Sequence, residues 1–193
     1  MKILITAGGT REPIDPVRYI GNRSSGRMGR ALVAAAEKIK DIQIVFIDAS
    51  KGSALDLHRQ VMAEYATVDI VIMAAAVADY TPVNTADSKI KKGTDNLNIQ
   101  LTPTIDILAE LGRLKQDQFL VGFCLETENL IAEAKRKLKE KNLDFIVANS
   151  VEAIGSGHSQ AVIITKNSQT ELPDLPKEKV AEAIINEILR LIN

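Results

Sequence analysis

Cysteine is nearly missing from this chain of 193 residues: Cys124 stands alone, so no internal disulfide can form. Histidine is almost as scarce. With only His58 and His158, and no Cys or His cluster at metal-ligand spacing, a structural zinc centre is excluded too. There is no excess of one charge, since 24 Lys and Arg face 25 Asp and Glu, which argues against nucleic acid or a membrane surface as partner. Long apolar runs are also lacking. The run Ile3 to Ala7 is too short for a signal segment, and no stretch reaches bilayer length, so no membrane is expected and the cytoplasm is the default address.

What is present is enough apolar composition, 46%, for a sizeable core, in a length that suits one domain over 1–193. Apolar runs and helix-period segments alternate. Strands are expected at Lys2 to Thr6, Ile42 to Ile47, Val68 to Ala75, Leu97 to Leu101, Phe119 to Cys124 and Phe145 to Ala148. Helices are expected over Gly26 to Lys40, Ala54 to Tyr65, Ile105 to Leu114, Thr127 to Lys141 and Lys177 to Leu191. This pattern predicts an α/β, three-layer Rossmann-like sandwich with a mainly parallel sheet. Ala161 to Thr165 and Gln169 to Leu172 would add an antiparallel edge near the C-terminus.

Two segments break the rhythm. Arg11 to Ser25 and Ala76 to Asn96 have no periodicity and read as loops, both too long to be mere connections. Both would emerge at the carboxyl ends of strands, where open α/β sheets bind ligands.

The chemistry concentrates there. Gly8 and Gly9 follow the first strand and would let backbone N–H groups approach a phosphate. Asn22, Ser24 and Ser25 precede a helix start, which suits an anion, although a serine N-cap explains the same pattern. Ala76 and Asp79 end a buried strand with small residues and an acid, which could seat a base and a ribose or simply allow tight packing and cap a turn. Lys89, Lys91 and Lys92 fit a polyanion or a solvated surface. Lys137 and Lys141 share a helix face, where solvation is the simpler account. Cys124 lacks a nearby histidine in sequence and reads as buried and inert; His58 falls mid-helix and His158 in a glycine-flanked loop.

In order, the phrases TAGGTREPIDPVRYIGNRSSGRMG, AAAVADY, KIKK, TPTIDIL, VGF with LET, and KNLDFIVAN make the whole chain resemble the phosphopantothenoylcysteine synthetases. That resemblance implies a ligase that joins 4'-phosphopantothenate to L-cysteine with CTP, through an acyl-cytidylate, in coenzyme A biosynthesis. It implies catalytic roles for Asn22 and Lys89, with Arg18 helping to position the intermediate and Ser24 and Ser25 beside it. Ala76, Asp79 and Phe123 would form the nucleotide site, and Lys137 and Lys141 would lie near the phosphates. Mg2+ would accompany CTP without a dedicated protein metal site, and no flavin is expected. It also implies a homodimer whose lysine flap closes over the neighbour's site, and a decarboxylase carried on a separate chain. Gly9, Gly21 and Cys124 depart from the residues frequent in bacterial members (Pro, Ser and Ala) without removing a functional group.

Two other classes remain open at this level. An NAD-dependent oxidoreductase fits the alternation, the first glycine turn and Asp48 at the second strand's end, but GxGxxG is absent and no Tyr is followed four residues on by Lys. A noncatalytic nucleotide-binding module would keep the phosphate contacts but not explain Asn22 and Lys89 together.

Overall fold

The computed structural model describes residues 1–150 and 155–192, with the backbone alone at Ser150. The chain begins with β1 (Lys2–Ala7), whose alternation sends Ile3 and Ile5 into one apolar layer and Leu4 into the other. A hairpin of β2 (Arg11–Pro13) and β3 (Tyr19–Gly21) follows, then α1 (Arg27–Ala36) and β4 (Gln43–Asp48). Next come α2 (Ala54–Tyr65), β5 (Ile70–Met73), β6 (Tyr80–Pro82), β7 (Leu101–Pro103) and α3 (Ile107–Leu114). The remainder is β8 (Phe119–Glu126), α4 (Leu130–Glu140), β9 (Phe145–Ser150), β10 (His158–Thr165), β11 (Gln169–Pro176) and α5 (Lys177–Ile192).

Among the described residues the main sheet runs β11-β10-β9-β8-β5-β1-β4. From β4 to β9 its neighbours are parallel, and β10 and β11 join antiparallel, as the sequence predicted. One core lies under α2, α3 and α4, around Leu57, Leu111 and Leu138. The other lies under α1 and α5, around Leu32, Ile184 and Ile188. These two layers and the sheet between them make the three-layer sandwich. Because the chain leaves β1 for β4 on one side and returns to β5 on the other, the direction of winding reverses between β1 and β5. A crevice opens at such a point, at the carboxyl ends of the strands.

Helix starts follow local chemistry. Ser53 and Asp56 form a reciprocal capping box on α2, and Asp106 accepts from the Ala109 N–H at the head of α3. Ser24 and Ser25 do not cap α1. Gly26 takes that place with φ of 70°, and no side chain caps the helix.

Several expectations are corrected. Leu97–Leu101 is no strand of the sheet: the pairing there is β7 with β6, a two-stranded ribbon apart from it, and residues 97–101 are exposed. Alternation there has no buried face to serve. Both long loops contain short strands, because β2 pairs with β3 and β6 with β7. His158 opens β10 and lies 3.4 Å from Asp174 across the β10–β11 pair. The α1 and α4 segments start later and stop earlier than periodicity suggests, with Asp41, Asn129 and Asn142 at positive φ outside their ends.

A candidate nucleotide and acyl-transfer site

At the β1–β5 crevice the two strands part as the backbone turns at Gly8, where φ is 85° and a side chain would be strained. The Gly8 carbonyl accepts from Ala76 N–H at 2.8 Å, and Thr10 N–H donates to the Ala76 carbonyl at 3.2 Å. Gly8 and Gly9 are buried, and the groups that pair with Ala76 are the Gly8 carbonyl and the Thr10 N–H on either side of Gly9.

Beyond this pairing, the segment Ala74 to Asp79 forms one wall of a cavity of about 780 Å3. Such a volume accommodates a nucleotide-sized ligand. Asn22 lies across from Val77 and donates through Nδ2 to its carbonyl at 2.9 Å. Because only the NH2 end can donate to a carbonyl, the amide orientation follows from this contact. Among the described residues the second N–H and Oδ1 meet no other partner and face a ligand's side of the wall. Ser24, Ser25 and the uncapped head of α1 continue the wall. Arg30 fixes that loop by donating to the Ser25 carbonyl at 2.8 Å.

The opposite wall comes from β8 and α3. Phe123 and Cys124 reach the cavity from β8, and Asp106 and Lys141 meet at 2.8 Å on its rim. Lys137 lies 2.6 Å from Glu126 and 3.7 Å from the Cys124 sulfur. Burial works against the Lys137 ammonium, but Glu126 and Cys124 outweigh it and raise its pKa above the usual lysine value. Burial likewise pushes the Cys124 thiol up, which keeps it protonated and poorly nucleophilic, in line with the inert reading. Both candidate phosphate lysines are thus held by carboxylates.

Among the described residues the lining includes Asn22, Ser24, Ser25, Ala76, Asp79, Phe123 and Lys141; it leaves out Gly8, Gly9, Arg18, Lys89 and Lys137. Arg18 instead pairs with Asp15 and donates to the Ile90 carbonyl at 2.9 Å. The Asp15 carboxylate, buried, also accepts from the N–H groups of Val17 and Ile90. Arg18 holds its pKa far below the usual carboxylate range, against the opposing effect of burial. The lysine segment is therefore tied to the β2–β3 hairpin, on the side of a second groove of about 1000 Å3 lined by Val17, Arg18 and Tyr19.

Sequence reasoning missed several lining residues. Arg27, Asn149, Ser159 and Lys177 close the far end, where Asn149 and Lys177 are mostly buried. Burial, and then Arg27 nearby, lowers the Lys177 pKa. Arg27 and Asn149 lie within recognisable phrases, but Ser159 and Lys177 reach the site only through the C-terminal fold and leave no local signal. Asp48, the acid that an oxidoreductase would need for ribose, accepts from Ser50 and pairs with Arg30 at 3.7 Å.

Residues 1–192 match the family model described as the DNA/pantothenate metabolism flavoprotein C-terminal domain. The chain belongs to this family. It is 42% identical to the coenzyme A biosynthesis bifunctional protein CoaBC of Bacillus subtilis (strain 168), over 98% of the chain and 51% of that relative. It is also 42% identical to a cysteine/cysteine sulfinic acid decarboxylase from an unknown prokaryotic organism, over 100% of the chain and 59% of that relative. The chain thus spans between half and three-fifths of the length of these curated relatives. A crystal structure of the C-terminal domain of CoaBC superposes with a TM-score of 0.79 at 34% identity, covering 99% of this chain and 95% of that one.

Proposed function

We propose that this protein is a phosphopantothenate–cysteine ligase, which forms an amide between 4'-phosphopantothenate and L-cysteine at the expense of CTP. The observation that carries the reading is the convergence of Asn22, Asp79 and Phe123 on one cavity at the winding switch of the sheet. Kinship with coenzyme A biosynthesis proteins supports it.

In the first step a carboxylate oxygen attacks the α-phosphorus of CTP, and the bond to pyrophosphate breaks. In the second the cysteine amine attacks the acyl carbon, the bond to CMP breaks, and the amine loses its proton. Neither step needs a flavin. The protein's task is to position the reactants and to stabilise developing charge. The free N–H of Asn22 is suited to the acyl oxygen, and its Oδ1 to an N–H of the attacking amine. Asp79 would accept from the ribose, with Phe123 and nearby main chain at the cytosine. Ser24, Ser25 and the head of α1 offer donors to the acyl-phosphate region. Lys141, with Lys137 behind it, would approach the phosphates by exchanging a carboxylate for a phosphate oxygen.

Among the described residues no group of three or more His, Cys, Asp or Glu could hold a metal ion. Mg2+ would accompany the triphosphate as its counter-ion, and no step is assigned to it. Lys89 completes the site from the flap of a second copy of the chain. Its place outside the cavity lining supports this, as do the exposed apolar side chains Val83, Leu97, Ile99 and Leu101 around the same ribbon. Among the described residues no helix is long and apolar enough to cross a membrane. Kinship with coenzyme A biosynthesis proteins is the ground on which we place the reaction in the cytoplasm.

The test is pyrophosphate release by the purified protein with magnesium, 4'-phosphopantothenate and cysteine, with CTP or ATP supplied. Release that requires phosphopantothenate and prefers CTP is expected. Preference for ATP would reassign the nucleotide, and silence with both would reduce the protein to a binding module.

A further inference from the structure

The Val77–Ala78 peptide unit is gripped from both sides. Its carbonyl accepts from Asn22 Nδ2 at 2.9 Å, and its N–H donates to the Thr10 hydroxyl at 2.9 Å. Asn22 and Thr10 thus address the two ends of one rigid plane. Thr10 is 1% exposed, so its hydroxyl has no recourse to solvent. Its own N–H donates to the Ala76 carbonyl, which fixes the residue to the same segment. The next two units are held as well, since the Thr104 hydroxyl donates to the Ala78 carbonyl at 2.5 Å and Thr104 N–H donates to the Asp79 carbonyl at 2.9 Å.

We infer that Thr10 is a positioning residue for amide formation, which acts by fixing the peptide unit that aims the Asn22 carboxamide at the reacting acyl group. The inference rests on the ligase reading and on Asn22 acting in its second step. Without the hydroxyl, the Ala78 N–H loses its acceptor in a buried setting, where an unmet donor is costly. The peptide plane then tilts to find another partner. Val77's carbonyl tilts with it, and the Asn22 amide loses its aim without losing any atom that contacts nucleotide. Displacements of this kind, of about an ångström, cost on the order of 100-fold in rate.

The experiment separates the two steps in Thr10→Val, Thr10→Ala and Thr10→Ser. Without cysteine, the Val variant should release a stoichiometric burst of pyrophosphate from CTP and 4'-phosphopantothenate at nearly the wild-type rate. With cysteine its turnover should fall about 10- to 100-fold, acyl-nucleotide should accumulate, and KM for CTP should stay within about twofold. Thr10→Ser, which keeps the oxygen, should restore turnover. Turnover of the Val and Ala variants within about threefold of wild type would overturn the inference. So would an equal fall of burst and turnover, or loss of folding in both variants, since either would make the hydroxyl's role structural. A wild-type protein that releases no pyrophosphate would instead overturn the ligase reading, and this inference with it.

Discussion

The cavity wall and the lysine flap of this protein are built on opposite plans. In the wall, the segment Ala74 to Asp79 is pinned by hydroxyls from Thr6, Thr10 and Thr104 and by the main chain of Gly8. Its functional groups are fixed before any ligand arrives. The flap carries Lys89, Lys91 and Lys92 on exposed chain, held to the hairpin chiefly by Asp15, Arg18 and Thr85. One region is preorganised within a single chain. The other presents charge outside the cavity, and on the proposed ligase reading it would serve the site only by moving or by reaching a second copy.

The sharpest way to break this contrast is Asn22→Ala. Loss of the amide from the fixed wall should cut amide formation about 100- to 1000-fold while leaving nucleotide affinity nearly unchanged. Single-turnover kinetics with nucleotide binding measured in parallel would check it, and a pure affinity loss would mean that the wall only binds. Lys89→Ala should cost about 100-fold. If the flap serves a neighbouring site, mixing the inactive Asn22→Ala and Lys89→Ala proteins should restore about a quarter of wild-type turnover, because half the dimers would be mixed and each would hold one intact site. A mixture that stays inactive after subunit exchange would assign the flap to its own chain.

A smaller effect is expected from Asp15→Asn, which loosens the tether without touching the wall: KM for CTP should rise about fivefold with kcat little changed. Its pH dependence has a definite sign. The folded-state pKa of Asp15 is depressed, so its contribution to stability is complete above the ordinary carboxylate value and is lost only as pH falls through the lower folded value. Denaturant titrations should therefore show a wild-type to Asp15→Asn difference that is constant from about pH 5 to 8 and narrows only in acid. Smallest of all, Lys91→Ala should change turnover less than about twofold at moderate salt, since a solvated lysine on the flap is screened. A larger change in a steady-state assay would mean that the triphosphate meets more than Lys89.

Much of the frame was legible in the residues. The β1 run Lys2–Ala7, the buried β5 strand and the antiparallel β10–β11 edge all follow from apolar runs and their lengths. The Asn22 and Asp79 phrases were legible as chemistry, and they do meet in one cavity. Arg18 was not. Its phrase placed it beside Asn22, but β3 is the chain between them and sets the two residues at its opposite ends, and Asp15 three residues earlier captures the guanidinium. The lysines at 137 and 141 read as a free basic face, whereas Glu126 and Asp106 come from other elements to neutralise them.

Glycine close to a strand marks a similar boundary. Gly29 in α1 lies so near β1 that a Cβ there would come within 2.4 Å of the Ala7 Cβ, a constraint that the local helical pattern does not express. The sequence by itself determined the helices and the strands of the main sheet, its parallel core and the residue chemistry at the strand ends, because these depend on local periodicity and side-chain type. Only the tertiary structure decided that Thr10 and Asn22 hold one peptide unit from opposite sides, that Lys177 returns from the last helix to the first strand's crevice, and that Lys89 stands apart. Those facts depend on contacts between segments far apart in the chain, which hydrogen-bond demand and packing fix together and no local pattern encodes.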